Sequence, residues 1–197
     1  MKSKLTILLL TITFTAIGIE YVPTREADIS DPALSISKDK DGEWLEITTR
    51  EWHDVVLTDE GEKSYIYHQG YNYKKQKGFI KTYTTDKKPV NEMYGADTGG
   101  MVSKEELMLA FDIFKKHGDI HKILAKETTP IYVFGGFGYA DKSPKGACYN
   151  GQRCLHVFAH TDTKEMIAHA IIKLNDKTVP YPDYDGLNDK NKKEVKQ

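Results

Sequence analysis

Apolar and polar residues alternate with a period of two from Trp44 to about Thr85, switch to helical spacing after Ser103, and return to alternation after Pro130. Residues 44–48, 54–58, 64–68 and 78–83 are the expected strands of the first stretch, rich in β-branched and aromatic side chains. A turn at 59–62 and a polar connection over 71–76 separate them, and residues 86–102, with Pro89 and a glycine-rich run from Gly95 to Gly100, read as loop. Ser103-Lys104-Glu105-Glu106 is a capping box, in which the Ser103 hydroxyl and the Glu106 carboxylate satisfy each other's backbone amides. Leu107, Ala110, Phe111 and Phe114 then share one helix face, Lys115, Lys116 and His117 occupy the last turn, and Gly118 ends it. A shorter helical turn over 120–126 follows, then strands at 131–134, 153–160 and 165–174.

This order predicts an α+β protein with no internal repeat: a β-rich segment over 44–100, then a capped helix packed on an antiparallel meander over 101–180. Residues 19–43, polar with Pro23 and Pro32, read as a linker, and the lysine-rich residues 181–197 as a fraying polar tail.

The motif Ser103-Lys104-Glu105-Glu106-Leu107-x-x-Ala110, followed by Ala170-Ile171-Ile172-Lys173-Leu174-Asn175-Asp176-Lys177-Thr178-Val179, resembles the small N-terminal domains of copper amine oxidases. The resemblance covers residues 103–180 and implies a cystatin-like unit with an accessory role. It does not extend to amine oxidase activity: the large copper-containing domain has no counterpart here, and Asn72-Tyr73 is followed by Lys74 where that family's cofactor motif has an acid.

Two lysines in Met1-Lys2-Ser3-Lys4, an uncharged stretch from Leu5 to Ile19 and the small-x-small Ala16-Ile17-Gly18 form a secretory signal over 1–18. The stretch is shorter than the ~20 residues of a membrane-spanning helix. Left uncleaved, it would be an N-terminal membrane anchor. The expected location is therefore the periplasm or outside the cell. Lys+Arg 28 against Asp+Glu 29 leaves a net charge of -1, which gives no reason to expect nucleic acid as a partner.

Export makes a disulfide the expected state of Cys148 and Cys154, the 2 cysteines of the chain. Asn150-Gly151 between them signals a hairpin, and a loop of Asn150, Gly151 and Gln152 places the cysteines directly across from each other. The next hairpin carries the candidate chemistry. A two-residue loop at Asp162-Thr163 pairs His160 with Glu165, Phe158 with Ile167, and His156 with His169. Leu155, Val157, Ala159, Met166, Ala168 and Ala170 then form an apolar face under the helix. Across the strands His156 and His169 stand roughly 5 Å apart, close enough to share copper or zinc. His160 lies on the order of 13 Å from His156 and cannot join them.

Trp44, Trp52, Tyr65, Tyr67, Tyr71 and Tyr73 are the candidate aromatic surface for a protein or glycan partner. Two acidic stretches, Ser37-x-Asp39-x-Asp41-Gly42 and Tyr181-x-Asp183-x-Asp185-Gly186, imitate calcium loops but lack the first acid and the closing glutamate, so calcium is not expected. Gly135-Gly136-Phe137-Gly138 lacks the Lys-Ser/Thr of a phosphate loop and reads as a bulge or tight bend. The sequence thus points to an exported, non-catalytic binding, accessory or inhibitor protein. Two alternatives stand beside it: a periplasmic metal-binding protein using the histidine pair, and a small hydrolase with a histidine general base.

Overall fold

The computed structural model describes residues 22–27, 30–95 and 99–187, so the expected signal segment lies outside the described residues. The chain is α+β, with two five-stranded sheets and two helices. One sheet is a continuous antiparallel meander of β2 (Ser35–Lys38), β3 (Trp44–Thr58), β4 (Gly61–Asn72), β5 (Lys77–Thr84) and β6 (Pro89–Gly95), in that spatial order. The other is ordered β1 (Thr24–Glu26), β7 (Ile131–Tyr139), β8 (Cys154–Thr161), β9 (Met166–Lys173) and β10 (Thr178–Tyr181), with β1 parallel to β7 and the rest antiparallel. Between them in sequence lie α1 (Lys104–Lys116) and α2 (Gly118–Leu124).

The helix begins where the capping box places it. Ser103 is the N-cap, its side chain accepts from the Glu106 amide, and the Glu106 carboxylate accepts from the Ser103 amide. Leu107, Ala110, Phe111 and Phe114 are buried against Val133, Leu155, Val157, Ala159, Ala168, Ala170 and Ile172 of the helix-bound sheet. This is the core.

Several elements differ from the sequence expectation. The segment expected as linker contributes two strands, because Thr24, Arg25 and Glu26 pair with Ile131, Tyr132 and Val133, and β2 pairs with the start of β3. The two expected strands at 44–48 and 54–58 are one strand of 15 residues, bent by a bulge between Thr48 and Arg50. The expected loop over 86–102 holds β6, in which Pro89 sits at the first position of an edge strand and its missing N–H has no ladder role to fill. Gly118 opens α2 and does not cap α1, whose C-cap is His117.

In β4, Gly70 is required by packing. A Cβ there would lie 1.9 Å from the Ile47 carbonyl oxygen and 2.8 Å from the ring of Phe79, its cross-strand partner. The bulge expected near Gly135 is present, with a register shift between Gly135 and Phe137 and Gly136 at φ 96°.

The two sheets meet at a polar junction. Tyr71 and Tyr73, at the end of β4 and just beyond it, reach across to the other layer. The Tyr71 hydroxyl donates to the Gly151 carbonyl and accepts from Asn175 Nδ2, and the Tyr73 hydroxyl donates to Glu106 Oε1 at 2.6 Å. Burial pushes the Tyr71 phenol up to about 12, and burial together with the Glu106 carboxylate raises that of Tyr73.

Candidate functional site

The β8–β9 hairpin sets the site, and its turn decides the register. Thr161 N–H donates to the Glu165 carbonyl, leaving Asp162, Thr163 and Lys164 as a three-residue loop with Lys164 at φ 65°. One residue more than the expected loop shifts the register once, and a bulge between Ala159 and His160 shifts it again. Beyond the bulge the strands are displaced by two residues from the expected pairing, so His156 opposes Ile171 and His169 opposes Phe158. A two-residue displacement returns every side chain to its original face. Leu155, Val157, Ala159, Ala168 and Ala170 therefore do lie under the helices. Near the turn the expectation fails: Met166 opposes His160 and is exposed on the outer face, while Ile167 packs against the core. The expected His160–Glu165 pair is absent. His160 stacks on Tyr132 at 5.3 Å and its Nδ1 contacts the Thr161 carbonyl.

His156 and His169 meet despite the shift, as diagonal neighbours: His156 Nδ1 and His169 Nε2 are 2.9 Å apart. His169 is buried and its Nδ1 is 2.7 Å from Asp185 Oδ2. The carboxylate assigns the tautomers, since it accepts from His169 Nδ1–H, leaving Nε2 bare to accept from His156 Nδ1–H. The result is an aligned chain Asp185–His169–His156. Its last atom, His156 Nε2, has no hydrogen-bond partner among the described residues. Burial lowers the His156 pKa, the neighbouring His169 lowers it further, and Asp185 opposes both.

Asp185 belongs to the segment expected to fray. Instead, residues 181–185 strap the outer face of the sheet: Tyr184 N–H donates to the His169 carbonyl, and the Tyr181 hydroxyl donates to Asp141 Oδ2. The Tyr184 ring lies 5.5 Å from that of His156 and 4.9 Å from that of His169. The only sequence signal for this strap was its tyrosines and Pro182, unusual in a solvated tail.

Around the histidines the outer face is a row of rings. Phe158 stacks on His169 at 4.0 Å and on Phe134 at 5.0 Å, and Tyr139 meets His156 edge-on at 5.3 Å. Phe137, opposite His156 in the ladder, lies on the same face and is 59% exposed.

Cys148 and Cys154 form a disulfide, with Cα atoms 5.9 Å apart. The expected cysteine hairpin does not form. Cys154 opposes Tyr139 across the ladder, and Cys148 lies in the connecting loop, where Asn150 (φ 58°) and Gly151 (φ 80°) make a tight turn without flanking strands. The Asp141 carboxylate organises this loop by accepting from Cys148 N–H and from the Tyr139 and Tyr181 hydroxyls.

The six aromatic candidates do not form one surface. Tyr71 and Tyr73 are structural at the junction, with Trp44 against Tyr73 at 5.6 Å. Trp52 and Tyr67 are cross-strand partners stacked at 5.1 Å on the other sheet, half-buried like Tyr65 two positions along β4. In the first calcium-like stretch, Asp39 Oδ1 accepts from the amides of Asp41 and Glu43 and so closes a turn; in the second, Asp185 is held by His169.

A groove of about 660 Å³ runs between residues 99–102, the β7 bulge and residues 149–152. The one cation on its wall, Arg153, is already bound by Glu106 and by the carbonyls of Gly99, Gly100 and Met101, so the groove offers backbone and not charge. Among the described residues no three or more His, Cys, Asp or Glu side chains come together as a metal-holding group, and no helix is long and apolar enough to cross a membrane. Comparison with family models, curated proteins and solved structures returned no match.

Proposed function

We propose that this chain is an exported binding module, an accessory or inhibitor protein without catalysis of its own, which engages a protein or glycan partner through the outer face of the helix-bound sheet. The observation that carries this reading is the row of rings there: Tyr132, Phe134, Tyr139, Phe158 and Tyr184 with three imidazoles among them, and the exposed Phe137 on the same face opposite His156. The helices cover the opposite face, while on this one the strap of 181–185 crosses the sheet and the disulfide loop packs over the end at Cys154 and Ile171. Aromatic clusters of this kind carry much of the binding energy at protein interfaces and stack on sugars. The N-terminal apolar run and the disulfide support export; an uncleaved run would tether the module to the membrane. A helix packed on the antiparallel strands β7 to β10 also fits the cystatin-like accessory unit implied by the sequence resemblance.

A hydrolase reading has one point in its favour, the aligned Asp185–His169–His156 chain. No serine, threonine or free cysteine is among the ring or hydrogen-bond partners of His156, so a base is present without a nucleophile beside it.

The test is to immobilise the exported, disulfide-bonded chain and offer it the exported proteins of its own cell and an array of glycans. The reading expects a bound species that the double variant Phe137→Ala/Tyr184→Ala loses and Trp52→Ala keeps. Dependence on Trp52 in place of Phe137 and Tyr184 would move the site to the other sheet. Ester or phosphoester hydrolysis abolished by His156→Ala would replace binding with catalysis.

A further inference from the structure

The imidazoles of the outer face meet nitrogen to nitrogen, and we propose that their meeting point is a two-coordinate site for a monovalent copper-class ion, with His156 Nδ1 and His169 Nε2 as ligands. This assignment stands independently of the binding reading. It rests on four features of the pair.

The two ring nitrogens face each other at 2.9 Å, and the tautomers set by Asp185 put a single proton between them. An ion in place of that proton would be held by one lone pair from each ring. Metal–imidazole bonds of ~2 Å set the nitrogens of a linear site ~4 Å apart, so the pair must open by about 1 Å. His156 is half-buried and the Tyr184 ring beside it is exposed, so His156 is the side that swings.

The far nitrogen of His169 is already committed to a carboxylate. An imidazole whose other N–H is held by a carboxylate is the usual outer-shell arrangement of a metal-binding histidine, fixing the ring and raising the basicity of the free nitrogen. Asp185 at 2.7 Å supplies it.

The donor count selects the ion. A structural zinc site needs four protein ligands, and among the described residues no group of three His, Cys, Asp or Glu side chains converges. Two neutral imidazoles suit a d10 monovalent ion, which takes linear coordination and carries less charge to desolvate. The surroundings agree. Phe158 stacks beneath both rings, at 4.0 Å from His169 and 5.9 Å from His156, with the edges of Tyr139 and Tyr184 closing the sides. Ring faces stabilise a low-charge cation and exclude water.

The proton balance closes without a co-reactant. Both imidazoles stay neutral: as the ion binds His156 Nδ1, the proton on that atom leaves to solvent and another is taken up at Nε2. No redox change is involved, so silver(I) serves as a probe that leaves the disulfide intact.

The experiment titrates silver(I), copper(I) and zinc(II) into the exported, oxidised chain, reading stoichiometry by native mass spectrometry and ligation by imidazole nitrogen and methionine methyl chemical shifts. The expected result is one silver ion per chain with shifts confined to His156 and His169. The ion is lost in His156→Ala and in His156→Gln, retained in His160→Ala, and bound about 10–100-fold more weakly in Asp185→Asn. His156 is half-buried, and near-ultraviolet circular dichroism confirms that its variants fold. Absence of binding, silver retained by both His156 variants, shifts at exposed methionines such as Met101 or Met166 in place of the histidines, or zinc bound more tightly than silver would each overturn the assignment.

Discussion

The guanidinium of Arg153 grips the carboxylate of Glu106 through two parallel bonds of 2.8 Å, Nε to Oε1 and Nη2 to Oε2, and both side chains are buried. The pair joins three parts of the molecule. Glu106 caps α1 and accepts from the Tyr73 hydroxyl at the end of the first meander, while Arg153 donates to the carbonyls of Gly99, Gly100 and Met101, which lead into the helix. Removing one partner leaves the other charge buried and uncompensated, which typically costs ~3–5 kcal/mol. Glu106→Gln keeps the shape and can still accept at the Ser103 amide, but its NH2 then faces the Arg153 Nε–H, so its loss reports the charge together with one of the two bonds to Arg153. Denaturant unfolding should show a destabilisation of that order, and a loss under about 1 kcal/mol would mean that solvent reaches the pair.

Gly70 should tolerate no side chain. The Cβ of Gly70→Ala would collide with the backbone of Ile47 on one side and the Phe79 ring on the other, and backbone cannot yield cheaply. The variant should lose roughly 3 kcal/mol or more in thermal or denaturant unfolding. Gly138→Ala is the control, since nothing lies within 4 Å of its Cβ position.

The helix, its cap and its buried face were legible because each is a local pattern: Ser103 and Glu106 are three residues apart, and Leu107, Ala110, Phe111 and Phe114 follow helical spacing. The apolar faces of β8 and β9 were legible for the same reason. The pairing between them was not, because a third loop residue with Lys164 left-handed and a bulge before His160 each move the register by one. Their effects restore the faces, which is why His156 and His169 meet while their cross-strand partners differ from those expected. Asp185 was illegible for a different reason. It lies 16 residues beyond His169, in a polar stretch whose order depends on tertiary contacts of Tyr181 and Tyr184. Tyr71 and Tyr73 looked like surface residues because they continue the alternating tyrosines of residues 65–67 into a polar stretch. Only the junction with Glu106, Gly151 and Asn175 buries them.

The far half of β3 should be held apart from other chains by Asp54. β2 pairs with β3 only from Trp44 to Thr48, leaving the remaining edge unpaired by any described strand. Val55 and Leu57 on that edge are 56% and 80% exposed, a combination that invites edge-to-edge pairing. The Asp54 carboxylate blocks it by accepting from the Val55 amide at 2.8 Å and adding charge. Asp54→Ala should therefore show concentration-dependent self-association by light scattering with little change in monomer stability, and a second change, Val55→Lys, should reverse it.

Stability should fall in acid partly through Asp141. Partial burial works to raise its pKa, but the Cys148 amide and the Tyr181 and Tyr139 hydroxyls outweigh it, so the folded carboxyl titrates below its ordinary value. A carboxyl depressed on folding binds fewer protons in the native state than in the unfolded one. Its contribution is therefore complete above the unfolded value of ~3.9 and is lost as pH falls from there through the depressed folded value. Asp141→Asn should be less stable than the parent at neutral pH, because it loses the charged acceptor that gathers the disulfide loop and β10. The gap between the two proteins should close as pH drops below about 4. Asp86, Glu92, Glu105 and Asp176 are also depressed and titrate in both proteins, so the difference between the two stability curves isolates Asp141. Chemical unfolding of both proteins from neutral pH to about pH 2 checks this; a gap that stayed constant across that range would assign the loss to packing and not to the carboxylate.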